Sequence, residues 1–106
     1  AYSKTLAAWE DRLQELRRKG GRAVIWGAGS KGVSFLSAVG QHISVAVDIN
    51  PNKHGTFMAG TGHETVPPAS LAALRPDLVI AMNPIYVDEI QAELDALGVA
   101  TQLLAL

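Results

Sequence analysis

Cysteine is absent from this chain of 106 residues. Disulfides, thiolate metal sites and cysteine nucleophiles are excluded together, and the absence fits a reducing, cytoplasmic setting. An excess of either charge is also missing. A formal net charge of -1 offers no basic face to nucleic acid or to anionic lipid. No apolar run reaches the length of a membrane span, and no signal-peptide pattern opens the sequence. His42, His54 and His63 have no metal-ligand spacing and read as ordinary surface or loop residues. Glu10, Asp11, Glu15, Asp88, Glu89, Glu93 and Asp95 read as solvated helix faces, and Trp9 and Trp26 as packing residues. Nothing in the chain assembles a nucleophile, a base and an oxyanion hole. There is no internal repeat, no linker and no low-complexity tract.

What is there is an alternation of elements. Leu6, Trp9, Leu13 and Leu16 recur at helical spacing between Ser3 and Lys19, with Lys4, Glu10, Asp11, Glu15, Arg17 and Arg18 mostly off that stripe. Arg22 to Trp26 reads as a buried strand. Ser30 to Val39 reads as a helix with Val33, Leu36 and Val39 inward, stopped by Gly40. Ile43 to Ile49 predicts a second strand, followed by turn chemistry at Asn50-Pro51-Asn52. Lys53 to Gly62 reads as loop, His63 to Val66 as a short edge strand and Ala69 to Leu74 as a short helix. Asp77 to Met82 is a continuous apolar run after one acid, the pattern of a strand buried on both faces. Asn83 caps the next helix, with Pro84 at its first position and Val87, Ile90, Leu94 and Leu97 inward. Val99 to Leu104 is a last strand. The alternation predicts a Rossmann-like three-layer αβα sandwich, with a mainly parallel sheet, the first strand central and an extra N-terminal helix. The length suits one domain over residues 1–106. The start at Ala1, without a methionine, suggests a piece of a longer protein.

The stretch VIWGAGSKGVSFL carries the chemistry. Gly27, Gly29 and Gly32 fill a G-x-G-x-x-G pattern between a predicted strand and a predicted helix. Gly27 permits the sharp exit from the strand, Gly29 lets a phosphate approach the backbone, and Gly32 lets the helix lie close to the sheet. The helix N-terminus beyond presents unpaired N–H groups, to which Ser30 adds a hydroxyl and Lys31 a cation. The pattern reads as an anion site for nucleotide phosphates or as a tight turn that binds nothing. Asp48 lies about twenty residues beyond the first glycine, where dinucleotide folds keep a ribose-binding acid. It also suits a turn-capping role.

Four motifs together resemble the C-terminal domain of the sugar C-methyltransferase family. Gly27, Ala28, Lys31 and Gly32 match a G-A-x-x-K-G turn. Asp48, Pro51, Lys53 and Gly55 match a D-x-x-P-x-K-x-G segment, with His54 where glutamine is more usual. Ala59-Gly60-Thr61 matches a P-G-T stretch, with alanine for proline. Asn83 and Asp88-Glu89-Ile90 match a strand end followed by a D-E-I helix. The resemblance implies a substrate-binding domain that closes over a nucleotide-linked sugar. Its expected contacts are Gly27, Ala28, Gly29, Ser30, Lys31, Gly32, Asp48, Asn50, Lys53, Asn83 and Tyr86. It further implies an upstream part of the same protein that holds S-adenosylmethionine and zinc, while this piece holds neither and is inactive alone. Homodimerisation is compatible with it. The alternatives are an NAD(P)-binding domain of an oxidoreductase and a structural or dimerisation module.

Overall fold

The computed structural model describes residues 2–106, with side chains from Thr5 onward. Ala1, and the side chain of Lys4, which the sequence pattern sets off the apolar stripe, lie outside the described residues. The elements are α1 (Tyr2–Arg18), β1 (Ala23–Trp26), α2 (Ser30–Val39), β2 (Ala46–Val47), β3 (Thr65–Val66), α3 (Leu71–Leu74), β4 (Leu78–Ala81), α4 (Val87–Ala96) and β5 (Gln102–Ala105). The strands form one sheet in the order β3-β2-β1-β4-β5, every neighbouring pair parallel. The fold is the Rossmann-like α/β sandwich that the alternation predicts.

Strand alternation divides the core into two layers. Ala23 and Ile25 of β1, with Leu78 and Ile80 of β4, pack against Leu13 of α1 and Phe35, Leu36 and Val39 of α2. Val24 and Trp26, with Val79 and Ala81, pack against Leu71 of α3 and Ile90 and Leu94 of α4. All four residues of β1 and of β4 are buried, as strands covered on both faces must be. On α2, Leu36 and Val39 are buried as expected; Phe35 joins them, and Val33 is only half-buried. Phe35 meets Trp9 of α1 edge to face, with ring centroids 5.8 Å apart. Beside that contact Glu10 and His42 pair at 2.6 Å, and the His42 side chain is 6% exposed. Glu10 is therefore no solvated carboxylate and His42 no surface histidine; together they pin α1 to the end of α2.

Six elements are shorter than the sequence pattern predicts; β1, α3 and β4 lose one or two residues at their ends, and three others are cut for a local reason. The run Ile43–Ile49 keeps only Ala46–Val47 in the ladder. It leaves a 3-10 turn at Gly40–His42, and the Asp48 carboxylate turns the chain at its far end. His63–Val66 keeps Thr65–Val66, because Glu64 pairs antiparallel with Phe57 and the His63 carbonyl accepts from Met58 N–H. The segment expected to be plain loop thus folds back along the outer edge of β3. Val99–Leu104 begins late, at Gln102, because Val99 N–H still bonds the Leu94 carbonyl of α4. Among the described residues no helix is long and apolar enough to cross a membrane.

Candidate functional site

The strand order reverses at β1, which has β2 on one side and β4 on the other. Open α/β sheets hold ligands outside the carboxyl ends of the strands at such a switch point. Here those ends are locked together: Gly27 N–H donates to the Val47 carbonyl at 2.7 Å, and Met82 N–H to the Trp26 carbonyl at 3.0 Å. Above them lies a cavity of about 580 Å³, a size usual for small-molecule sites. One wall is the glycine turn, from Gly27 through Gly29 to Ser30, Lys31 and Gly32. Asp48 and Ile49 follow from β2; Met82, Asn83 and Tyr86 from β4; Glu89, Ile90 and Glu93 from α4; Trp26 also lines it.

The three glycines have three different reasons. Gly27 has φ +123°, which L side chains rarely adopt, and a Cβ there would lie 3.1 Å from Met82 Cβ. At Gly32 a Cβ would collide with the backbone carbonyl oxygen of Gly27 and lie 3.2 Å from Ile25 Cδ1. Gly29 has φ -88°, open to any residue, and a Cβ there would meet nothing within 4 Å. No side chain caps α2, and the Val33 N–H closes its first turn onto the Gly29 carbonyl at 3.0 Å. The N–H groups ahead of that bond carry the positive end of the helix dipole.

Asp48 clasps the turn through both carboxylate oxygens. Its Oδ2 accepts from Ala28 N–H at 2.9 Å and its Oδ1 from Asn50 N–H at 2.9 Å. Asn50 Oδ1 in turn accepts from Asn52 N–H at 3.0 Å, starting the 3-10 turn Pro51–Lys53. Lys53 Nζ donates to the Ala28 carbonyl at 3.3 Å, and His54 Nε2 reaches the Asp48 carbonyl at 2.6 Å. Asp48→Ala leaves the buried Ala28 N–H and the Asn50 N–H without these acceptors. We expect about 1–3 kcal/mol of destabilisation in urea unfolding, with faster amide exchange at Ala28. Unchanged exchange there would mean that another group holds the turn.

Of the residues expected in the site, Gly27, Gly29, Ser30, Lys31, Gly32, Asp48, Asn83 and Tyr86 line the one cavity. Ala28, Asn50 and Lys53 do not line it; they brace the turn and Asp48 from the other side. Asn83 also performs its capping role, accepting from Ile85 N–H at 3.2 Å. Glu89 and Glu93, read from the sequence as solvated, stand on the cavity wall at i, i+4 spacing. That spacing, on a helix starting at the end of a switch-point strand, is the signal that marks them. Ile49 also went unmarked; it lines the cavity while 68% exposed. Beside Tyr86, Ile85 is 74% exposed, so the mouth has an apolar rim. The chain has no cysteine, and among the described residues no group of three His, Asp or Glu side chains is placed to hold a metal ion.

A parallel sheet wrapped by helices, with a glycine-turn cavity at its switch point, defines a Rossmann-like α/β domain with room for a small molecule. More particularly, the chain belongs to the family of C-methyltransferase C-terminal domains, whose model matches residues 3–102. No curated protein matches it.

Proposed function

We propose that this domain binds the substrate of an S-adenosylmethionine-dependent C-methyltransferase, and that the substrate is a nucleotide-linked sugar whose phosphates sit on the glycine turn. The observation that carries the reading is Gly29. Among the described residues nothing needs a glycine there: its φ is negative and the space beside it is open. A group from outside the chain that approaches this backbone gives the glycine a reason. The uncapped start of α2 and the Lys31 ammonium suit an anion at that wall. Glu89 and Glu93 on the opposite wall suit hydroxyl groups, which donate to carboxylates. A ligand with phosphate at one end and hydroxyls at the other matches both. The dinucleotide reading is weaker, because a full dinucleotide fold needs two mononucleotide halves and the second half here is short, with β4 and β5 alone. In this reading the methyl donor and zinc belong to an upstream, cytoplasmic part of the same protein. That part covers the apolar rim at Ile49 and Ile85, and this domain alone transfers no methyl group.

Calorimetric titration separates the possible ligands. UDP-glucose is expected to bind the isolated chain weakly but measurably, and more tightly than S-adenosylmethionine, which has no phosphate. Tighter binding of the methyl donor overturns the reading.

A further inference from the structure

The two edges of the sheet are treated differently. At the β3 edge, Gly55 N–H donates to the Thr65 carbonyl at 2.9 Å and Thr65 N–H to the Thr56 carbonyl at 2.8 Å. The chain itself closes that edge. At the β5 edge, Gln102 N–H donates to the Asp77 carbonyl at 3.2 Å and Leu106 N–H to the Ala81 carbonyl at 2.9 Å. The parallel alternation therefore turns Gln102, Leu104 and Leu106 toward β4, and turns the N–H and C=O groups of Leu103 and Ala105 outward. Natural sheets protect such an edge with lysine, proline, a bulge or a covering segment. Gln102–Leu106 contains no charge and no proline. No strand pairs with the outer side of β5 among the described residues.

We propose that β5 pairs antiparallel with β5 of a second copy of this chain, across a two-fold axis at Leu104. The strand is complementary to itself in that register. Leu103 stands opposite Ala105 of the partner subunit, and Ala105 opposite Leu103 of the partner subunit. All outward N–H and C=O groups of those residues then find partners. Leu104 meets Leu104 of the partner subunit as a non-hydrogen-bonded pair, the closer kind, with Cβ atoms about 4.5–5.5 Å apart. That side chain is only partly buried in the monomer, and it borders a groove of about 460 Å³ formed with Ala8, Trp9 and Arg12 of α1. The axis thus brings a second leucine to a groove that has room for it. No side chain of Gln102–Leu106 is charged, so the seam itself sets no like charges against each other; the charge on this flank is Arg12 of α1. The result is a continuous ten-stranded sheet, with the two glycine-turn cavities on separate copies.

Sedimentation velocity over a concentration series tests this on the full chain. Reversible, concentration-dependent dimerisation is expected. Ala105→Pro removes an N–H that the monomer does not use, so the circular dichroism spectrum should persist while Kd rises at least about tenfold. Ala105→Lys keeps the N–H and should weaken the dimer by placing charge at the seam. Phe57→Lys, on the opposite edge and 69% exposed, should leave Kd unchanged. A wild-type chain that stays monomeric throughout overturns the proposal. A dimer that survives both Ala105 variants, or dissociates with Phe57→Lys, does so too.

Discussion

Gly29→Val is expected to keep the fold and abolish binding at the glycine turn. The backbone there has φ -88° and ψ -159°, at the edge of the extended region and without the positive φ that bars a side chain. Its side chain enters open space and not a neighbour. Valine is a poorer helix cap than glycine, so a stability loss of about 1 kcal/mol is expected. The branched side chain then occupies the approach to the Ser30 and Lys31 N–H groups. Affinity for UDP-glucose should fall at least about tenfold, or about 1.4 kcal/mol. The pair of measurements is urea unfolding and calorimetric titration on the same preparation. Retained affinity with lowered stability would make the turn structural, with no ligand at Gly29.

Gly32→Ala is expected to do the reverse, damaging the fold itself. One methyl group at that position runs into the Gly27 carbonyl oxygen, with Ile25 Cδ1 at 3.2 Å and Met58 Cε at 3.3 Å behind it. The clashing atom is backbone, in a turn already fixed by the Gly27 to Val47 bond. It cannot swing aside as the end of a side chain could. The expected cost is about 3 kcal/mol, the upper part of the usual overpacking range. In a domain of this length that lowers the melting temperature by of order 10–20 °C. A variant within a few degrees of wild type would show that α2 can lift from the sheet cheaply, and that Gly32 does not set the helix–sheet distance.

These two glycines also mark how far the sequence is legible. G-x-G-x-x-G between an apolar strand and a helix announces a tight βα turn, because strand burial and helix periodicity are local patterns. The pattern gives its glycines different jobs, and the folded chain adds the contacts: Gly32 is pressed against the Gly27 carbonyl, and Gly29 against nothing. The buried strands β1 and β4 are legible for the same local reason: a residue covered on both faces must be apolar. The length of β2 is not, since it is cut by hydrogen bonds from Asp48 and by the preceding 3-10 turn. Glu89 and Glu93 look like solvent-facing charges on an amphipathic helix, and they are exposed. What places them on a cavity wall is the position of α4 over the switch point, a tertiary fact absent from their own neighbourhood. His42 misleads for a similar reason. Its partner Glu10 is on α1, far away in sequence, and brings it under cover only once α1 packs.

Backbone-amide NMR during titration with UDP-glucose locates the ligand most directly. Binding of phosphate at the glycine turn predicts the largest shifts at Gly29, Ser30 and Lys31. Smaller shifts are expected at Asn83 and Glu89 across the cavity, and little change at β3 or at the α1 face. Shifts confined to other surfaces, or absent at saturating ligand, would contradict the assignment of the turn as the phosphate site.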